Sequence, residues 1–156
     1  MIKKLGSILT ITSILSTGAS AIDTENISLG FQSSYLAYGI SAKYDFTEKT
    51  HAQGIVGFLG TVNTYTVRGI YDYYQKPNLD IYAFGSVGIW TWDNYLYDES
   101  VVGFGAGSGL EYDIRGLDSE LPPLLLSAEL GLNVVNFEHY GSFSSLGLGL
   151  GIHYKF

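Results

Sequence analysis

The chain has 156 residues, the size of one domain, and no cysteine, which excludes a disulfide framework, a thiolate metal site, a thiol nucleophile and a lipid-modified N-terminal cysteine. Twenty glycines beside 3 prolines and a charged fraction of only 15% are the reverse of a disordered composition. With 8 Lys+Arg against 15 Asp+Glu the formal charge is −7, which excludes the basic footprint of a nucleic-acid binder.

Residues 1–21 are predicted to be a signal peptide, with Lys3 and Lys4 as the charged start, 5–15 as the apolar middle and Ala19-Ser20-Ala21 as the small-residue cleavage site. Cleavage is expected after Ala21, leaving 22–156 as a single domain. The apolar middle is too short for a membrane helix, which needs about 20 residues, and no longer apolar run follows.

What remains alternates with period two, the mark of strands with one apolar face. The first strand, about 26–34, is expected to turn Ile27, Leu29 and Phe31 outward. The second, about 39–46, sets Ile40, Ala42, Tyr44 and Phe46 against Ser41, Lys43 and Asp45. In the third, about 51–61, Ala52, Val56 and Phe58 face out. The fourth, about 65–75, opposes Tyr65, Val67, Tyr71 and Tyr73 to Thr66, Arg68 and Asp72. The fifth, about 81–91, is apolar on both parities. An aromatic girdle at each bilayer interface favours Tyr82, Phe84, Trp90 and Trp92 as the outward set. The alternative turns Ile81, Ala83, Val87 and Ile89 outward and places the aromatics inside, beside the glycines of the next strand.

That sixth strand, about 101–114, opposes Val102, Phe104, Ala106, Leu110, Tyr112 and Ile114 to Gly103, Gly105, Gly107, Gly109, Glu111 and Asp113. The seventh, about 124–136, sets Leu126, Ala128, Leu130, Leu132 and Val134 against Ser127, Glu129, Gly131 and Asn133. The eighth places Leu146, Leu148, Leu150, Ile152, Tyr154 and Phe156 on one face and Gly147, Gly149, Gly151, His153 and Lys155 on the other. Turn formers and charge mark connections at 47–50, 76–79, 94–100, 116–123 and 137–143. Strands of about 11 residues match what a tilted strand needs to cross a bilayer. The predicted fold is therefore all-β: an eight-stranded antiparallel transmembrane β-barrel, wound as an up-and-down meander.

Signal peptide, alternating strands and the closing run Leu148-Gly-Leu-Gly-Ile-His-Tyr154-Lys-Phe156 resemble the small eight-stranded outer-membrane β-barrel proteins of Gram-negative bacteria, the class of OmpX and the OmpA membrane domain. The resemblance implies that Phe156, Tyr154, Ile152, Leu150 and Leu148 form the signal read by the barrel-assembly machinery, and that the chain resides in the outer membrane with its termini on the periplasmic side. It imports no activity, because the class is one fold with many jobs.

Eight strands enclose just enough room for side chains to fill the lumen. An unpaired ion there is costly, so the inward charges Lys43, Asp45, Arg68, Asp72, Glu111 and Glu129 are expected to form a paired interior network. Arg68 is expected among Asp72, Glu111 and Glu129, with His51, His153, Gln32, Gln53 and Asn133 alongside. The interior is then closed and polar, with no steady pore. The glycine rows are expected to make room for long side chains from the opposite wall.

A soluble exported barrel of the lipocalin type is the structural alternative. Few charges, aromatics at strand ends and the final Phe156 favour the membrane. Hydrolysis needs a serine, a histidine base and an orienting carboxylate. Only Glu138, His139 and Ser142 or Ser144 combine these on the outer side, which makes a lipid A-modifying hydrolase or acyltransferase the enzymatic alternative to a non-enzymatic role. The histidines lack metal-ligand spacing and the glycine run at 103–109 fits no phosphate loop, so no cofactor is expected. The outer connections, about 35–38, 62–64, 93–100 and 137–144, carry Asp93, Asp98, Glu99 and Glu138 beside Tyr35, Tyr38, Tyr95, Tyr97 and Tyr140. Acidic, tyrosine-rich loops suit cation-bridged lipopolysaccharide or a basic partner. The expected function is a structural or interaction role in the cell envelope, as a monomer among outer-membrane lipids.

Overall fold

The computed structural model describes residues 24–34, 37–58, 62–93, 98–137 and 141–156, apart from the side chains of 92–93, 98–99, 136–137 and 141–145. The expected signal peptide lies outside the described residues. After a 3-10 turn at Thr24–Asn26 come β1 (Ile27–Ser34), β2 (Ala37–Asp45), β3 (Thr50–Gly57), β4 (Val62–Lys76), β5 (Leu79–Asp93), β6 (Asp98–Asp113), β7 (Leu124–Phe137) and β8 (Gly141–Lys155). A second 3-10 turn, Ile114–Gly116, lies between β6 and β7. Each strand pairs antiparallel with the next, and β1 pairs with β8 from Ser28 opposite Lys155 to Ser34 opposite Gly149. The sheet is thus a closed eight-stranded meander, and along the part of the wall where β1 meets β8 every strand has a partner on both sides.

Alternation along the closed wall sorts the side chains. Lys43, Arg68, Asp72, Glu129, Gln32 and His153 are buried in the lumen, while Phe31, Ile40, Val67, Phe104, Leu132 and Leu148 stand exposed on the outer wall. The usual arrangement of a water-soluble protein, apolar inside and charged outside, is inverted.

One strand departs from expectation. Tyr82, Phe84 and Trp90 of β5 are 4%, 7% and 0% exposed, so they point inward, and Val87 and Ile89 face out. The register explains the choice, because β5 lies against the glycine row of β6, with Tyr82 opposite Gly109 and Phe84 opposite Gly107. A Cβ on Gly109 would sit 2.6 Å from Tyr82 Cζ, and one on Gly107 2.6 Å from Phe84 Cζ. The missing side chains are the space the rings occupy. These glycines therefore receive aromatics from the adjacent strand, not long side chains from the opposite wall.

Strands also run further than expected. Tyr38, residues 62–64, 98–100 and 141–144 belong to strands and not to the outer connections. Polar residues do not end a ladder while each backbone group still finds a partner, and β-branched threonines suit the pleat. Thr64 and Thr66 point into the lumen with their hydroxyls 3.2 Å apart. Ile114 opens the 3-10 turn and does not end β6. A bulge between Asp72 and Tyr74 inserts Tyr73, so that Tyr73 and Tyr74 are both exposed on the wall. The rim bearing 46–49, 77–78 and 114–123 also bears Ile27 and Phe156, joined by a bond from Phe156 N–H to Ile27 O of 3.1 Å; it is called the lower rim below. The opposite, upper rim is the one at which β1, β3, β5 and β7 end.

Candidate functional site

The lumen holds the polar chemistry, and alternate positions of β1 to β8 deliver it there. At the lower rim Lys155 Nζ donates to Asp45 Oδ2 at 2.8 Å. Asp45 Oδ1 lies 2.7 Å from His51 Nδ1, and His51 Nε2 lies 2.8 Å from Asp72 Oδ2. Two carboxylates thus flank the ring, an arrangement met by an imidazole that donates from both nitrogens. Gln75 Nε2 reaches Asp72 Oδ2 at 3.3 Å and the Glu48 carbonyl at 2.6 Å, which fastens this cluster to the turn after β2.

Further in, Lys43 is ion-paired with Glu111 across the lumen. Gln53 Nε2 donates to Ser41 Oγ at 2.8 Å, and His153 Nε2 lies 2.9 Å from the same oxygen. Beyond them Arg68 Nη1 donates to both carboxylate oxygens of Glu129, each at 2.9 Å, and Nη2 donates to Ser34 Oγ at 2.7 Å. Tyr82 Oη donates to Glu129 Oε1 at 2.8 Å, and the guanidinium lies 4.6 Å over the Phe84 ring. Towards the upper rim the filling turns apolar, with Ile55, Trp90 and Val135 fully buried.

All six charges singled out in the sequence point into the barrel, but they divide into separate groups. Of the three acids expected around it, Arg68 meets Glu129; Asp72 belongs to His51, and Glu111 to Lys43. Ser34, Tyr82 and Phe84 were missed as members of the Arg68 group. The signal for the two aromatics was present in the alternative facing of β5. Phe156, Tyr154, Ile152, Leu150 and Leu148 line the outer wall from the lower rim to the middle of β8, and the Tyr154 and Phe156 rings stack edge-on at 5.2 Å.

Among the described residues the lumen offers part of what a hydrolase needs. Ser41 and His153 are in contact, yet both are buried, and His153 Nδ1 has no hydrogen-bond partner where a carboxylate would orient the ring. Glu138 and His139 lie outside the described residues, as do the side chains of Ser142 and Ser144. So do Tyr35, Tyr95, Tyr97 and Tyr140 and the side chains of Asp93, Asp98 and Glu99. Tyr38 donates to the Val62 carbonyl at 2.6 Å and so braces β2 against β4.

No protein-family model matches the chain, and no curated protein matches it in sequence. Solved structures do. The N-terminal β-barrel domain of Pseudomonas aeruginosa OprF superposes with a TM-score of 0.52 at 17% identity, covering 82% of this chain and 95% of that one. Neisserial surface protein A gives 0.51 at 17% identity, covering 83% and 93%. The de novo designed TMB2.3 gives 0.51 at 18% identity, covering 83% and 93%. The fold is that of the small outer-membrane barrels. At this identity the likeness extends to the path of the backbone and to nothing those proteins do.

Proposed function

We propose that the chain is an outer-membrane barrel with a structural or interaction role in the cell envelope, non-enzymatic, its lumen closed to steady conduction. One observation carries this reading: the ion pairs Arg68–Glu129 and Lys43–Glu111 are buried inside, whereas Leu146, Leu148 and Leu150 stand 65–78% exposed outside. Such a wall is stable against lipid tails and unstable against water. Closure is supported by Trp90, Ile55 and Val135, which pack the upper end of the lumen above the ion pairs. In this placement residues 1–21 serve export, the lower rim faces the periplasm, and Phe156, Tyr154, Ile152 and Leu150 serve the barrel-assembly machinery. The partners are membrane lipid and lipopolysaccharide, met as a monomer.

Detergent-phase partition with gel mobility before and after boiling tests the membrane placement. The expected result is the detergent phase and a heat-dependent shift; an aqueous-phase protein without a shift overturns it. Steady conductance of the purified barrel in planar bilayers would overturn the closed lumen. Mass spectrometry of lipid A from cells with and without the protein should show one acyl pattern, and a changed pattern that reverts in His139→Ala would overturn the non-enzymatic role.

A further inference from the structure

Side chains from four strands, Gln32 on β1, Gln53 on β3, Ser127 on β7 and His153 on β8, line a cavity of about 10 Å³ midway along the lumen. Among the described residues, Gln32 Nε2, Gln53 Oε1, Ser127 Oγ and His153 Nδ1 have no hydrogen-bond partner, although these side chains belong to residues only 1%, 3%, 6% and 1% exposed. Turning the Gln53 amide over does not remove the deficit: one end of it is held by Ser41, and the other still points at nothing. Buried polar groups are satisfied almost without exception, so four unmet atoms around one hole call for an occupant.

Its chemistry follows from the groups it must satisfy. It accepts a hydrogen bond from the Gln32 amide and donates one to the Gln53 carbonyl. It is neutral, because the charges that line the cavity already have partners: Lys43 pairs with Glu111, Asp72 with His51, and Glu129 with Arg68 behind it. It is also minimal in size, since about 10–15 Å³ is the room that a single water requires. We infer that the lumen binds one water here, which completes the network of Gln32, Gln53 and His153.

The same geometry gives the route by which it exchanges. His51 and Asp72 line both this cavity and a wider vestibule of about 380 Å³ at the lower rim, so their 2.8 Å contact separates the two. Towards the upper rim Trp90, Ile55 and Val135 block the way. The bound water enters and leaves past His51.

Water-selective NMR on the isotope-labelled full chain, refolded in detergent micelles, tests both parts. Cross-peaks from water to the side-chain amide protons of Gln32 and Gln53 are expected, with the sign of a bound molecule. Gln32→Met should abolish the cross-peak at Gln53. His51→Ala should hasten exchange of the bound water, so that the cross-peaks weaken or change sign. Absence of cross-peaks in the native chain overturns the site. So does a Gln32→Met variant with a higher urea midpoint than the native chain, because that would mean the amide had been stranded dry. Unchanged exchange in His51→Ala overturns the route.

Discussion

Replacing Arg68 with methionine keeps an unbranched apolar stem and removes the charged head. The guanidinium supplies three hydrogen bonds, two to Glu129 and one to Ser34, and after the change Glu129 retains, among the described residues, the Tyr82 hydroxyl, deep inside the wall. Attraction between unit charges about 4 Å apart at an effective dielectric near 20 is about 4 kcal/mol. That agrees with the roughly 3–5 kcal/mol measured when one partner of a buried pair is removed. Arg68→Met should therefore lower the unfolding free energy by about 3–5 kcal/mol, mostly through the carboxylate left behind. If so, Glu129→Gln on the same background should recover about 1–3 kcal/mol, since a neutral amide still accepts from Tyr82 and no longer needs a cation. Urea unfolding in lipid vesicles, run as a double-mutant cycle, measures both numbers. A single variant that costs under about 1 kcal/mol, the range of an exposed pair, or a double variant equal to the sum of the singles, would refute the reasoning.

Other perturbations address the wall and its assembly. Gly107→Ala places a methyl 2.6 Å from Phe84 Cζ and 2.4 Å from the Leu130 carbonyl, whereas a methyl on Gly85 meets nothing within 4 Å. The first should cost about 1–3 kcal/mol and the second should stay within about 0.5 kcal/mol of the native chain in the same urea assay. Val87→Lys puts a charge on the lipid face of β5 and should cost about 2–4 kcal/mol in vesicles, whereas a lumen-facing lysine would reach polar partners at far lower cost. Deleting Phe156 removes an apolar anchor beside the lower rim and should reduce the heat-modifiable protein recovered from outer membranes; unchanged recovery would remove its role in assembly.

Seven of the eight facings were legible in the sequence because lipid and lumen impose opposite chemistry on alternate positions, as in Lys43 beside Ala42 or Glu129 beside Leu130. In β5 both parities are apolar, and a girdle argument drawn from one strand alone pointed the wrong way. The deciding fact is non-local: which residues of β6 stand opposite Tyr82 and Phe84. The same limit governs the ion pairs. Parity places Arg68, Asp72, Glu111 and Glu129 in one lumen, but the register of β3 on β4 brings Asp72 to His51, and the closed ring brings Glu129 across to Arg68. Strand ends were the least legible part, since Thr64 and Ser100 have loop-like chemistry while their backbones continue the ladder.

The pairing of β1 with β8 joins segments far apart in the chain, so no hairpin can nucleate it. Every other strand pair can zip from a neighbouring turn, whereas this one must wait until the whole sheet has curled, after most of the loop-closure entropy has been spent. It is also among the shorter ladders, ending at Ser34, while β7 and β8 run together from Leu124 to Phe137. Folding therefore finishes at this seam. A chain halted just before that step carries two bare and mutually complementary edges, each able to take a strand from another molecule in place of its own.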